Sequence, residues 1–169
     1  MIFTVGHSTR PIEDFTALLE GYEIQLLVDV RTVPRSRHNP QFNRDALPAS
    51  LQRAQIDYLH MPELGGLRHA RKDSTNTAWR NLSFRGFADY METPEFETGL
   101  AQLIDEARTR RTAIMCAEAV PWRCHRSLIA DALVARGVEV FEISSLTRVQ
   151  PHKMTPFAKI EDTKVHYPA

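Results

Sequence analysis

Cysteine is scarce in this chain, with two among 169 residues, too few for the disulfide framework of a small secreted scaffold. In a reducing compartment both are expected to rest as thiols, so their meaning has to come from position. An excess of one charge is also missing. Lys+Arg and Asp+Glu both number 21, which excludes a surface built throughout to hold nucleic acid and makes any basic site local. No apolar run approaches the roughly 20 residues of a membrane span. The N-terminal Met-Ile-Phe-Thr-Val-Gly-His lacks the basic region, apolar core and cleavage site of a secretion signal. These absences lead us to expect a cytoplasmic protein without a membrane partner. There is no internal repeat, low-complexity tract or linker either. What is present is an ordinary globular composition, 43% hydrophobic and 25% charged. The expectation is a single domain over 1–169, with 144–169 as a C-terminal extension packed on it.

Apolar periodicity alternates between strand and helix. Ile2 to Val5 reads as a strand closed by Gly6, and Ile12, Phe15, Leu18 and Leu19 then share a helical face, with Pro11 suited to the first turn. Ile24 to Val30 is nearly continuous in apolar residues, as a strand covered on both faces should be. Leu47, Leu51 and Ala54 suggest a helix and Ile56 to His60 a strand. Thr93-Pro94-Glu95 is a helix start, followed by the clearest stripe in the chain: Phe96, Leu100, Leu103, Ile104 and Ala107. Thr112 to Cys116 is the next strand. Leu128, Ile129, Ala132 and Leu133 mark a helix stopped by Gly137, and Val138 to Ile143 is a further strand. The pattern predicts an α/β fold, a three-layer α/β/α domain with a mainly parallel sheet. Two long stretches, Arg31 to Asn43 and Pro62 to Gly86, read as irregular, and long loops in a compact domain are commonly functional.

The polar residues follow the apolar runs. Cys116, Glu118, Cys124, His125 and Arg126 crowd into eleven residues between a strand and a helix, where α/β proteins bind ligands. His7 and Ser8 follow the first strand, with Arg10 close behind, and Asp29 and Arg31 end the second, so a parallel sheet would gather all of them at one edge. A thiol at Cys116, near a helix N-terminus and flanked by Arg123, His125 and Arg126, is expected to ionise easily and act as nucleophile. His125 or Glu118 would move the proton, Asp29 would orient an arginine or His7, and Arg126 and Ser127 would help hold an anion. The quieter reading makes Asp29–Arg31 a structural ion pair, His7 a turn residue and Cys116 a buried thiol. Arg31 to Arg44 contains Arg31, Arg35, Arg37, His38 and Arg44 without an acid. Its arginine forks suit phosphate, and Phe42 and Asn43 suit a base. Arg68, His69, Arg71 and Lys72 form a second basic stretch, expected to be mobile and able to close over a ligand. Trp79, Phe84, Phe87 and Tyr90 read as packing residues.

Three functional classes therefore stand open: an enzyme acting on a phosphate-containing or other anionic small molecule or nucleotide, a non-catalytic nucleotide- or nucleic-acid-binding module, and a metal-dependent enzyme. The metal candidates are Cys116, Cys124 and His125, although Cys-x7-Cys-His is not a standard zinc spacing. A redox pair of Cys116 and Cys124 is a further option. No cofactor can be named.

Six strings in order, Thr-Val-Gly-His-Ser-Thr-Arg (4–10), Leu-Val-Asp-Val-Arg-Thr-Val-Pro-Arg-Ser-Arg (27–37), Pro-Glu-Leu-Gly-Gly (62–66), Met-Cys-Ala-Glu (115–118), Cys-His-Arg-Ser-Leu-Ile-Ala (124–130) and His-Lys-Met-Thr-Pro-Phe-Ala (152–158), resemble the prokaryotic family catalogued as domain of unknown function 488. The resemblance covers nearly the whole chain. It implies a cytosolic α/β domain and supplies no mechanism. The layout of an early Val-Asp-Val-Arg and a later strand, Cys, loop and Arg-Ser helix is also similar to rhodaneses and, more distantly, to cysteine phosphatases. The spacing from Cys116 to Arg123 and Arg126 is longer than the anion cradle of those families.

Overall fold

The computed structural model describes residues 1–169. Its main sheet is built from β1 (Ile2–Gly6), β2 (Leu26–Asp29), β3 (Asp57–His60), β4 (Thr112–Cys116), β5 (Val140–Ser145) and β6 (Arg148–Pro151), in the spatial order β3-β2-β4-β1-β5-β6. The first five strands are parallel, and β6 returns antiparallel to β5. Helices α1 (Ile12–Gly21), α2 (Leu47–Gln52), α3 (Leu82–Tyr90), α4 (Pro94–Thr109) and α5 (Arg126–Ala135) connect and cover them. A two-stranded ribbon, β7 (Lys159–Glu161) and β8 (Lys164–His166), lies apart from the main sheet.

Alternation of side chains along each strand sorts the core into two layers. Phe3, Val5, Leu27, Ala113 and Met115 meet Phe15, Leu18 and Leu19 of α1 and Leu47 and Leu51 of α2. Their neighbours in sequence, Ile2, Leu26, Val28, Ile114 and Cys116, point the other way, onto Phe87 of α3, Leu100 and Leu103 of α4 and Leu128, Ile129 and Leu133 of α5. The result is the three-layer α/β fold that the periodicity predicts, because strands covered on both faces cannot show a polar alternation.

The topology locates the ligand crevice. From β1 the chain passes over one face through α1 to β2, whereas from β4 it passes over the other face through α5 to β5, and β1 and β4 are neighbours. Connections that leave adjacent strands in opposite directions open a gap at their carboxyl ends. Register pairs Gly6 with Cys116 and Asp29 with Met115, so the residues after β1, β2 and β4 emerge side by side.

Differences from the periodicity lie in short or interrupted elements. The expected Ile24–Val30 strand narrows to β2, and the expected Val138–Ile143 strand shifts to Val140–Ser145, which leads directly into the β6 hairpin. Helix α3 falls partly within the stretch read as irregular. It starts on Asn81, whose side chain accepts from the backbone N–H groups of Ser83 and Phe84, but its nine-residue length and Gly86 leave too short a helical stripe to read. Near the C-terminus Tyr167 is fully buried, with its hydroxyl donating to Asp131 of α5.

Candidate functional site: a cationic cleft at the sheet edge

The floor of the crevice is a closed polar network. Asp29 has no exposure. Its carboxylate accepts the Nε–H and Nη2–H of Arg31 at 2.9 and 2.7 Å, the Arg31 backbone N–H at 3.1 Å and the Tyr58 hydroxyl at 2.5 Å. Arg31 Nη2 also donates to the Phe42 carbonyl at 2.7 Å, and Nη1 reaches His7 Nε2 at 3.3 Å. That contact makes Nε2 the acceptor, so the proton of His7 sits on Nδ1, which donates to the Ser8 carbonyl at 2.8 Å. The ring stacks on Phe42 with centroids 4.3 Å apart. Burial, helped by the Arg31 charge, pushes the His7 imidazole down to about 4 against the Ser8 carbonyl, so His7 is neutral. Burial and Asp29 push the Tyr58 phenol up. One Nη1 hydrogen of Arg31 remains without a protein partner, and Arg31 borders the cleft.

Above this floor lies a cleft of about 630 Å³, bordered by His7, Ser8 and Thr9 after β1, Thr32, Arg35 and Ser36 after β2, Gly66, and the wall from Ala117 to Arg123 and His125. Two glycines allow the close approach. A β-carbon at Gly6 would collide with the Glu118 carbonyl, and one at Gly66 would come within 2.5 Å of His125 Nδ1. Ser8 takes a left-handed backbone, φ 50°, while its N–H bonds to the Ala117 carbonyl. A non-glycine residue in that region is strained and needs its surroundings to hold it there.

Two guanidinium groups dominate the cleft's charge. Arg35 and Arg123 are exposed and make no side-chain hydrogen bond or ion pair, and the acid beside them is Glu118. Hydroxyls of Ser8, Thr9 and Ser36 add neutral hydrogen-bonding groups. His125 Nε2 lies 2.8 Å from the Val30 carbonyl and 3.0 Å from that of Leu64, so it carries the proton, and Nδ1 is left as an acceptor. Burial pushes this imidazole down to about 4, although both carbonyls favour its protonated form.

His7, Ser8, Arg31, Arg35, Glu118 and His125 therefore come together as the sequence predicts. Others do not. Cys116 stands on the right edge but is 2% exposed, beneath the wall, and Asp29 lies under Arg31 as the structural ion pair of the quieter reading. Arg126, expected to hold an anion, is 1% exposed. Its guanidinium donates to Cys116 Sγ and Thr4 Oγ1, each at 3.1 Å, and to the Glu118 and Ala119 carbonyls, both at 3.0 Å. Arg126 thus ties down the cleft wall from below, and burial pushes its pKa down to about 10 without discharging it. Arg10 donates to the Ser144 carbonyl, and Ser127 to that of Cys124. Arg37 and Asn43 face a neighbouring hollow that shares Arg35 and Ser36, and the Asn43 side chain accepts from the Ser36 N–H, which shapes the loop.

The second basic stretch is not a free lid. Arg68 lies over the Tyr90 ring at 3.6 Å and donates to the Gly65 and Pro62 carbonyls, and Arg71 pairs with Glu92 and Asp73. Trp79, Phe84, Phe87 and Tyr90 pack edge-on among aromatic neighbours, as expected. No group of three or more His, Cys, Asp or Glu side chains gathers in the geometry of a metal site, since His125 Nε2 is turned onto two carbonyls. Cys116 and Cys124, read from the sequence as thiols, bring their sulfurs into direct contact, with Cα atoms 7.1 Å apart. Thr9, Thr32 and Ser36 are cleft residues that sequence reasoning passed over, and Arg123, named only as a cation flanking Cys116, borders the cleft as well; their signal was position immediately after or beside residues it had chosen.

No helix is long and apolar enough to cross a membrane. No curated protein and no solved structure matches this chain. One family model does, that of the domain of unknown function DUF488, over residues 11–133. That span is well over half of the chain, takes in every element from α1 to most of α5, and includes the cleft residues other than His7, Ser8 and Thr9. The chain belongs to the domain of unknown function 488 family.

Proposed function

We propose that the cleft binds a phosphate-bearing small molecule, such as a nucleotide, and that the protein acts on it. The observation that carries this reading is the pair of unpartnered guanidinium groups, Arg35 and Arg123, bordering one concave site. Neither guanidinium is tied to a protein acceptor, so both are free to bind an anion, and a planar fork donates two bonds at once to a phosphate. The Ser8, Thr9 and Ser36 hydroxyls supply further donors. His125, neutral and with Nδ1 as an acceptor beside Cys124 Sγ, is the cleft-bordering group able to accept a proton. His7 is not, because both ring nitrogens are already engaged. Zero net charge and the tethered Arg68 and Arg71 favour a small ligand over a nucleic-acid surface.

Calorimetric titration with inorganic phosphate, pyrophosphate and adenosine diphosphate tests this. Arg35→Ala and Arg123→Ala should each weaken binding about tenfold, or about 1.4 kcal/mol, and shift stability by less than about 0.5 kcal/mol because both side chains are exposed. Arg35→Lys should recover part of the loss, since a point charge lacks the fork. A large fall in melting temperature with unchanged affinity would overturn the assignment.

A further inference from the structure

The two cysteines of the chain bracket the cleft wall: Cys116 ends β4, Cys124 precedes α5, and their Cα atoms are 7.1 Å apart. The groups around the two sulfurs differ. Cys124 Sγ lies 3.5 Å from His125 Nδ1, the nitrogen left as a proton acceptor because Nε2 donates to Val30 and Leu64. The backbone N–H of Arg126, at the start of the ten-residue α5, also points at Cys124 Sγ from 3.5 Å. Cys116 Sγ receives the Arg126 Nε–H at 3.1 Å. Arg126 is buried without a carboxylate partner, its other contacts being a hydroxyl and two carbonyls. A buried cation lacking an anion is costly, and a thiolate at Cys116 supplies that anion. Each sulfur thus has a group suited to its ionised form, a base for one and a fixed cation for the other.

We infer that Cys116 and Cys124 form a redox-active dithiol that reduces a low-molecular-weight disulfide, with Cys124 as the attacking thiolate. Cys124 passes its proton to His125, and the adjacent thiolate in turn favours imidazolium. The thiolate attacks one sulfur of R–S–S–R, forms a Cys124–S–S–R bond and expels RS⁻. The Cys116 thiolate, held by Arg126, then attacks the Cys124 sulfur, breaks that bond, expels the second RS⁻ and closes the internal disulfide. Two electrons pass from the pair to the substrate, and the two thiol protons, one by way of His125 and one by way of solvent, end on the released thiols. A small dithiol resets the pair by the reverse exchange. The substrate is small because the sulfurs' residues are only 2% and 5% exposed, while His125 opens on the cleft. This activity stands independently of the anion-binding reading.

The test uses the full chain, reduced with dithiothreitol, desalted, and mixed with excess 4,4′-dithiodipyridine, an uncharged disulfide that makes no demand on Arg35 or Arg123. The wild type should release two equivalents of thiopyridone and end two hydrogens lighter by mass, without an adduct. Cys116→Ser should release one equivalent and keep a pyridylthio group on Cys124. Cys124→Ser should react about tenfold more slowly, and His125→Asn should slow the first step and move its pH profile upward. A wild type carrying two adducts and no disulfide would overturn the inference. So would equal rates in the two serine variants, or a native wild type that stays inert while its urea-unfolded form releases two equivalents. If a variant fails to fold by circular dichroism, the stoichiometry and mass of the wild type decide alone.

Discussion

His7 and His125 at the cleft and His152 where the C-terminal segment meets α5 are all largely withdrawn from water, yet they are held in opposite charge states. The cleft pair is pushed down to about 4, and His152 is pushed up to about 9. Burial disfavours the charged ring in all three. The difference is in the neighbours. His7 and His125 meet carbonyls and the charges of Arg31 and Arg126, whereas His152 lies between Asp131 at 2.7 Å and Glu142 at 2.9 Å. Two hydrogen-bonded carboxylates beside a buried ring outweigh desolvation here, and carbonyls do not. The chain therefore keeps its cleft histidines neutral, as proton acceptors or hydrogen-bonded supports. It uses a charged histidine to hold its C-terminal segment.

The hardest blow to this contrast is removal of Asp131. Its fully buried carboxylate also accepts the Thr155 N–H and hydroxyl and the Tyr167 hydroxyl. Asp131→Ala should destabilise the fold by about 3–5 kcal/mol in urea titrations, as it leaves the His152 cation with Glu142 alone and strips the buried Thr155 and Tyr167 hydroxyls of their acceptor. Survival at near wild-type stability would mean that the segment docks by apolar contact alone. Thr155 and Tyr167 belong to the same junction, so Tyr167→Phe offers a gentler cut at it.

The pH dependence sharpens the comparison next. His152 has a folded pKa raised from 6.5 to about 9. Its contribution is fully present below pH 6.5 and is lost as pH climbs through 9. His7 and His125, lowered from 6.5 to about 4, contribute fully above pH 6.5 and lose that contribution as pH falls through 4. Stability should thus peak near neutrality, with each histidine worth up to about 3 kcal/mol on its own arm. His152→Gln should flatten the alkaline arm and leave the acid arm in place. Proton NMR of the ring resonances should find His152 charged and the cleft pair neutral at pH 7, and the reverse order would break the argument.

A smaller effect separates floor from wall at the cleft. Tyr58→Phe removes one donor from Asp29, which keeps its three bonds from Arg31. The cost should be about 1 kcal/mol in denaturant unfolding. Phosphate affinity should be unchanged, since Tyr58 does not border the cleft. A fall in affinity would show that the floor transmits strain to the wall.

Much of the fold could be read in advance from particular residues. Thr93 caps α4 by accepting the Phe96 N–H, and Phe96, Leu100 and Leu103 are buried as their spacing requires. Edge and return elements were harder to see. Strands β6 and β7 are exposed throughout and the three-residue β8 buries only Val165, so all three carry little apolar signal. The site was legible in part. His7, Arg31 and His125 were chosen because they follow strands, and they meet in the cleft. His152 entered only as part of a family string, because a histidine's partners Asp131 and Glu142 lie on other elements and leave no local mark.

By itself, then, the sequence determined the alternation of strands and helices and the edge at which polar residues emerge. Both follow from local periodicity and from the burial each apolar run demands. Tertiary structure decided what those polar residues do. Arg123 and Arg126 stand three positions apart, one before α5 and one at its start, yet Arg123 is exposed in the cleft and Arg126 is 1% exposed beneath it. That division arises because Gly6 lets the Glu118–Ala119 backbone fold over the end of β1, where only a buried cation reaches the carbonyls. No spacing of residues records it, since it depends on two segments more than a hundred positions apart coming into contact.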